Sequence, residues 1–189
     1  MRKIAITGNL AAGKSTVGRI LQEYGAYIVD ADEIVHSLLS PTTATGEKVI
    51  ELLGSEIVVG NQIDRKKISE IVFSDFKKLK SLENILHPAV KQEIDRRFNH
   101  VKNNPSYKIF VAEVPLLYEA GMEKDFDLVI AVIADKEIAR KRFDDRFEER
   151  HARQHLPARK AAQADFVITN NGDLNMLRSS IDAIIDRLI

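Results

Sequence analysis

The 189-residue chain has no cysteine, and it has no surplus of charge of either sign. The absence of cysteine excludes disulfide frameworks, thiol nucleophiles and cysteine-based zinc sites. The 28 Lys and Arg residues balance the 28 Asp and Glu residues, whereas a protein that binds duplex nucleic acid usually carries a basic surplus. The composition therefore argues against a nucleic-acid partner.

Long apolar runs are also missing. No run approaches the roughly 18–20 residues that cross a bilayer. The first apolar stretch begins at Ile4, is too short for a secretory signal and runs directly into Gly8. We therefore expect a cytoplasmic protein without a membrane partner. The length fits one domain with a small insertion. The sequence leaves the oligomeric state open, and nothing in it demands more than a monomer.

Short apolar runs alternate with helical stretches, which is typical of an α/β fold with a parallel sheet. Because strands buried on both faces are apolar throughout, the runs rich in Val, Ile and Phe predict the strands. The five predicted strands are Ile4–Thr7, Tyr27–Val29, Lys108–Val114, Leu128–Ile133 and Phe166–Thr169.

The stretch between the second and third predicted strands is too long for a plain crossover. We interpret residues 34–106 as a helical insertion, and residues 1–33 and 107–189 as the core that contains the sheet. The predicted helices of this stretch, and the amphipathic helix that closes the chain, are Asp32–Leu39, Thr45–Leu53, Arg65–Phe73, Asp75–Lys102 and Asp173–Ile189.

The strongest motif fits the pattern G-x-x-x-x-G-K-[ST] at every position, between a predicted strand and a helical pattern. Glycines let backbone N–H groups turn toward a polyphosphate, and the helix N-terminus adds its positive dipole end. Lys14 is predicted to contact the β- and γ-phosphates, and the Ser15 hydroxyl to bind the Mg²⁺ that accompanies ATP. The predicted nucleotide-binding residues of this phosphate loop are Gly8, Leu10, Ala11, Ala12, Gly13, Lys14, Ser15 and Thr16.

Carboxylates lie at the ends of two predicted strands, where ligands bind in open α/β sheets. Asp30 and Asp32 follow the second strand. A carboxylate near the γ-phosphate could accept the proton of an attacking hydroxyl, but either residue could equally cap the next helix. Glu113 lies at the carboxyl end of the third strand, where it could bind Mg²⁺ directly or through water, or simply face solvent.

Five further segments follow the phosphate loop in a distinctive order. They are Val29-Asp30-Ala31-Asp32, Ile63-Asp64-Arg65, Ile85-Leu86-His87-Pro88, Pro115-Leu116-Leu117-Tyr118-Glu119 and Ala164-Asp165-Phe166-Val167-Ile168-Thr169-Asn170-Asn171-Gly172. Together with the loop, the chain resembles the dephospho-coenzyme A kinase family over nearly its whole length. Since phosphate loops occur in many families, the other segments carry the resemblance.

This resemblance implies an enzyme that uses ATP to phosphorylate the 3′-hydroxyl of dephospho-CoA, giving CoA and ADP in the last step of coenzyme A synthesis. It also implies the fold class: an α/β P-loop kinase core with a five-stranded parallel sheet, a helical acceptor-binding insertion and a lid. The insertion between the second and third strands matches the CoA-binding domain of that family.

The resemblance also implies roles for individual residues. Asp32 matches the general base, and Asn170 with Asn171 follows the last strand near the adenine. From the residues alone, His87 could be a packing residue, Arg65 could pair with a carboxylate, and the Asn-Asn-Gly sequence could be only a turn. The candidate acceptor-binding residues are Asp32, Arg65, His87, Glu113 and Leu116.

An arginine-rich segment at 136–160 holds nine Lys and Arg residues against five Asp and Glu. Arg142, Arg146, Arg150 and Arg153 recur every three or four residues, which places them on one helical face. They could form a solvated face with ordinary ion pairs, or bind the triphosphate through their guanidinium groups. The resemblance implies the second role, with Arg142 and Arg146 catalytic in a lid near 140–160. Compared with the lid of that family, this chain lacks about two helical turns between Arg146 and Arg150, so we predict a short lid.

Three alternatives to this interpretation remain. Another P-loop small-molecule kinase, such as a nucleoside monophosphate kinase, is disfavoured by the long insertion and the Leu-His-Pro segment. A regulatory GTPase needs Asn-Lys-x-Asp to recognise guanine, and this tetrapeptide is absent from the sequence. A catalytically silent nucleotide-binding protein is disfavoured by Lys14, Ser15 and Asp32.

Overall fold

The computed structural model describes residues 1–143 and 157–189. By their internal contacts, these divide into a core unit, Met1–Asp30 with Arg97–Ile189, and an insertion unit, Ala31–Arg96. Three arginines of the predicted lid, Arg146, Arg150 and Arg153, lie outside the described residues, as does most of that lid.

The core unit is built on a five-stranded sheet in which every neighbouring pair is parallel. In spatial order, its strands are β2 (Ala26–Asp30), β5 (Ile109–Glu113), β1 (Arg2–Gly8), β6 (Leu128–Ile133) and β7 (Phe166–Thr169). This confirms the predicted α/β fold with a five-stranded parallel sheet. The register pairs Ile6 with Glu113 and Gly8 with Val132, so the carboxyl ends of β1, β5 and β6 meet at one edge.

Helices complete the core unit. One long helix, α5 (Phe76–Val101), begins in the insertion unit and ends in the core unit. The others are α1 (Lys14–Glu23), α6 (Lys136–Lys141), α7 (Pro157–Gln163) and α8 (Leu174–Leu188), with a short 3₁₀ turn at Glu123–Asp125.

Apolar side chains of the central strands and of α1 and α8 form one cluster in the core unit. Strands β1, β5 and β6 lie inside the sheet, which explains why their sequences are apolar throughout rather than alternating. The fully buried members from strands and helices include Ile4, Ile6, Val17, Leu21, Ile109, Val111, Ile130 and Ile181.

The insertion unit is mainly helical and has its own apolar cluster, which includes Val49, Leu53, Ile57 and Ile68. Two of its helices begin at residues that accept backbone N–H bonds, as helix N-caps do: Thr43 from Gly46 and Asp64 from Lys66 and Lys67. Its elements are α2 (Ala31–Leu38), α3 (Ala44–Leu53), a 3₁₀ turn (Ser55–Ile57), β3 (Val58–Val59), β4 (Gln62–Ile63), α4 (Arg65–Ser74) and the first part of α5.

The antiparallel pair β3–β4 was not among the predicted elements. Each strand has only two residues, joined by a turn at Gly60 and Asn61, so no alternation of apolar and polar residues can develop. Gly60 and Asn61 are typical turn residues, but nothing in the sequence indicates the strand pairing around them. Across residues 1–143 and 157–189, none of the helices combines the length and apolar character needed to cross a membrane.

Candidate active site

The phosphate loop connects the end of β1 to the start of α1. Gly13, the residue before α1, has a φ of 95°, and a Cβ there would overlap the side-chain nitrogen of Asn170. Gly8 has a φ of 150°, and a Cβ there would overlap the carbonyl oxygen of Val132. Both motif glycines are therefore required by sterics. Ala11 also adopts a left-handed conformation, with a φ of 56°, although glycine is favoured there.

Asn9 fixes the loop to the end of β6. Its side-chain amide donates to the carbonyl of Ala134 at 3.0 Å, and its side-chain oxygen accepts from the N–H of Ala134 at 3.1 Å. Asn9 is only 1% exposed, and Ala134 is also buried. The phosphate-loop motif accepts any residue at this position. Asn9 instead makes a specific two-point bond to a strand distant in sequence.

Two asparagines after β7 extend this network. The side-chain amide of Asn170 donates to the backbone carbonyl of Ala12 at 2.8 Å. The backbone carbonyl of Asn170 accepts from the Arg142 guanidinium at 2.9 Å. The Asn171 side chain accepts from the N–H of Asp135 at 2.9 Å. Three predicted residues, Arg142, Asn170 and Asn171, therefore lie together beside the loop, and the Asn-Asn-Gly sequence is more than a turn.

The reactive side chains of the loop lie at the carboxyl edge of the sheet. The Lys14 ammonium donates to the carbonyl of Asn9 at 3.1 Å and lies 3.5 Å from that of Gly8, so its charge lies across the loop. The Ser15 hydroxyl donates to a carboxylate oxygen of Glu113 at 3.1 Å. Glu113 is 6% exposed, which excludes the interpretation of a strand-end carboxylate in solvent.

The other predicted residues belong mainly to the insertion unit. Asp32 is exposed in the first turn of α2, and since this helix begins at Ala31, Asp32 is not its N-cap. Arg65 is exposed at the start of α4, where Asp64 is the N-cap. His87 is half-buried within α5, next to Pro88. Leu116 follows β5 in the core unit and is 41% exposed.

Comparison with known proteins decides the family. A family model described as dephospho-CoA kinase matches residues 2–176. The chain belongs to the dephospho-CoA kinase family. A dephospho-CoA kinase of Protochlamydia amoebophila is 47% identical over 189 residues, which cover 96% of this chain and 93% of that protein. One of Chlamydia trachomatis serovar D is 39% identical over 186 residues, which cover 95% and 92%.

Solved structures agree with this membership of the dephospho-CoA kinase family. The dephospho-CoA kinase from Campylobacter jejuni matches with a TM-score of 0.74 at 26% identity, over 98% of this chain and 96% of that one. A crystal structure of a Thermus thermophilus protein matches with a TM-score of 0.84 at 29% identity, over 100% and 98%. Thymidylate kinase from Candida albicans, at 13% identity and a TM-score of 0.58, shares the fold alone.

The Asn9 bond should be important for the stability of this dephospho-CoA kinase family member. Replacing Asn9 by Ala leaves a buried N–H and a buried carbonyl of Ala134 without their partner, so we expect a loss of about 1–3 kcal/mol in the free energy of unfolding. Urea unfolding measures it. Asn171→Ala is the matched control, because it removes an exposed bond to the neighbouring Asp135 and should cost much less. Equal losses in both variants would contradict the importance of burial.

His87 should make the stability of the protein depend on pH. Burial lowers the pKa of His87, while Glu83 opposes the shift and Lys80 adds to it. The unfolded chain therefore takes up the proton more readily, so stability is present above the ordinary histidine pKa of about 6.5 and is lost as pH falls through the folded value. His87→Gln should lose less stability between pH 7.5 and 5.5 than the wild type does, as measured by urea unfolding. His36→Gln, at an exposed histidine of α2, should behave as the wild type does.

Sequence reasoning missed two residues of this region, Asn9 and Lys160. Asn9 lies inside the motif, but its partner is 125 residues away and only the sheet register brings the two together. Lys160 lies in the arginine-rich segment and was counted with its basic residues, yet its side chain is completely buried. In α7 (Pro157–Gln163), Ala158 and Ala162 are exposed and Ala161 is partly buried, so no local pattern indicates that Lys160 is buried.

Proposed function

We propose that the chain transfers the γ-phosphoryl group of ATP to the 3′-hydroxyl of the dephospho-CoA ribose, giving ADP and CoA in the cytoplasm. One observation carries this proposal. In a chain of this family, the phosphate-loop lysine and the Ser15–Glu113 pair lie at the carboxyl edge of the parallel sheet, where open α/β sheets bind their ligands.

Lys14 supplies positive charge to the transferring group. Its ammonium already lies over the carbonyls of the loop, so it needs little rearrangement to contact the β- and γ-phosphate oxygens. Because phosphoryl transfer depends mainly on positioning and on neutralising charge, this contact strengthens as charge builds up on the γ-phosphoryl group.

Ser15 and Glu113 suit a magnesium ion. A hydroxyl and a carboxylate 3.1 Å apart are both oxygen donors, the class that Mg²⁺ prefers. Among residues 1–143 and 157–189, there is no cluster of three acidic or histidine side chains that would form a complete protein cage. This fits Mg²⁺, which usually takes one or two protein ligands together with waters and substrate phosphates. The ion would neutralise phosphate charge, with Ser15 as a direct ligand and Glu113 direct or through water.

Asp32 acts as the general base in this proposal. Its carboxylate accepts the proton of the 3′-hydroxyl as the hydroxyl oxygen forms a bond to the γ-phosphorus, and the bond from phosphorus to the bridging oxygen of ADP breaks. Its place in the chain, two residues beyond the carboxyl end of β2, and its exposure in the first turn of α2 support the role.

The remaining roles follow the same scheme. Asn170 and Asn171 border the adenine. Their hydrogen bonds to Ala12 and Asp135 hold the two side chains in place, which supports this role. The acceptor is bound by Arg65 through a phosphate, by His87 and Leu116 and by the insertion as a whole. Arg142, already bonded to Asn170, contacts the phosphates, and the resemblance to the family's lid implies the same role for Arg146.

A panel of acceptors tests the function. The protein is incubated with ATP, Mg²⁺ and, in separate reactions, dephospho-CoA, nucleoside monophosphates or no acceptor, and the products are identified by mass. We expect one phosphoryl group to be added to dephospho-CoA, and none if Mg²⁺ is chelated. Phosphorylated nucleoside monophosphates would instead indicate a nucleotide kinase. Nucleotide binding without any turnover would indicate a silent module.

A further inference from the structure

Lys160 is a charged residue with no contact to solvent. Its side chain, in α7, has 0% exposure. The ammonium donates to the backbone carbonyl of Pro115 at 2.6 Å and pairs with a carboxylate oxygen of Glu119 at 3.0 Å. The two partners are the first and last residues of the segment that follows β5, which we call the 115–119 segment.

A second donor converges on the same carbonyl. Thr7 precedes Gly8, the residue at which β1 ends, and its hydroxyl donates to the Pro115 carbonyl at 3.2 Å. Helix α7 packs against β1 and β6. Lys160 therefore reaches the Pro115 carbonyl from a helix, whereas Thr7 reaches it from the sheet. The Pro115 carbonyl is therefore fixed from two sides, two residues after Glu113 and next to the exposed Leu116.

Stability alone is a poor reason for a lysine at this position. Burial lowers the pKa of Lys160, and the carboxylate of Glu119 opposes the shift. The free energy needed to desolvate a buried ion pair is about as large as the attraction between its charges. Replacing such a pair by well-packed apolar residues of similar size therefore often leaves the protein equally stable or more stable. What an apolar side chain cannot supply is a directed bond to the Pro115 carbonyl.

We propose that Lys160 is a positioning residue that holds the 115–119 segment, and with it Leu116, in the conformation that binds the acceptor. This inference rests on the proposed function, in which Leu116 contacts dephospho-CoA. Lys160 does not touch the reacting atoms. Its effect passes through the Pro115 carbonyl, and a misplaced binding segment raises the KM for the acceptor without disturbing the phosphate loop.

Four variants separate the bond to Pro115 from the ion pair and from packing. Lys160→Met keeps a long side chain of similar volume but removes the donor. The double variant Lys160→Met with Glu119→Gln also removes the carboxylate that would otherwise lose its cation, which keeps the protein folded if the single variant is unstable. Lys160→Arg retains charge and donors. Glu119→Gln alone retains the bond to Pro115.

Two measurements are made on each folded variant. The first is amide hydrogen exchange of residues 117, 120 and 122, whose N–H groups are bonded within the turns that follow β5, with α3 as an internal reference. The second is steady-state kinetics with dephospho-CoA, together with equilibrium binding of ATP. With Lys160→Met and the double variant, we expect exchange at these amides and the acceptor KM each to rise about tenfold. ATP binding should stay within about twofold of wild type.

The charge-preserving variants should behave differently. Lys160→Arg should recover most of the loss, and Glu119→Gln should stay close to wild type in both measurements. Wild-type exchange and acceptor KM in the double variant would overturn the proposal, as would an arginine variant as impaired as the methionine variant. If the wild-type protein failed to phosphorylate dephospho-CoA, the proposed function would be wrong. The exchange data would still show whether Lys160 holds the segment.

Discussion

In a Lys14→Ala variant, kcat should fall by a factor of about 10²–10³, because the fixed positive charge that stabilises the transferring phosphoryl group is removed. The loss should appear mainly in kcat rather than in the KM for ATP. Backbone N–H groups of the loop and the dipole of α1 still bind the ground-state polyphosphate, whereas the lysine contact is most valuable when charge develops. Steady-state kinetics with dephospho-CoA and equilibrium binding of ATP together measure the two effects.

Two controls accompany the Lys14 variant. Lys14→Arg keeps the charge but spreads it over a larger planar group, so it should recover only part of the activity. Lys102→Ala removes one positive charge from an exposed lysine whose ammonium donates to Asn99, and it should leave kcat unchanged. A Lys14→Ala enzyme with nearly normal kcat would show that the phosphoryl group is transferred elsewhere.

The sequence predicts the sheet well because each strand carries its own local pattern. Leu128–Ile133 and Phe166–Thr169 are observed with the predicted bounds, and the other three predicted strands differ by only one or two residues at their ends. Strands buried on both faces are continuous apolar runs bounded by turns, and this pattern requires no knowledge of their neighbours. The phosphate loop is equally local, since its glycines are fixed by backbone sterics.

What the sequence does not predict depends on partners far along the chain. Asn9 meets Ala134 because β1 and β6 pair in one register, and no property of Asn9 itself reveals that. Lys160 lies in a short helix that has no clear apolar stripe, so a solvated position was the natural expectation for it. Only its approach to Pro115 and Glu119 explains the burial. A local sequence pattern therefore does not predict the burial or the partners of residues that depend on tertiary contacts.

The role of Asp32 is open to a sharper test than sequence alone allowed. An aspartate before a helix could have been a cap, whose loss costs typically about 1 kcal/mol. However, α2 begins at Ala31, and Asp32 lies inside its first turn. Its carboxylate can still interact with the helix dipole, which is worth about 0.3–1 kcal/mol at an exposed site. Glu33 is also exposed in this turn, so it provides a matched control for that contribution.

Asp32→Asn should therefore lower kcat by about 10²–10⁴, the usual contribution of a general base, while ATP binding stays close to wild type. The amide keeps the shape of the side chain but cannot accept the proton of the 3′-hydroxyl. Glu33→Gln should produce the same small change in melting temperature with normal kcat, because both variants remove one negative charge from the same helix turn. Kinetics and thermal unfolding on both variants separate chemistry from stability. Equal kcat values in the two variants, or a lower melting temperature with normal kcat in Asp32→Asn, would remove Asp32 from the catalytic mechanism.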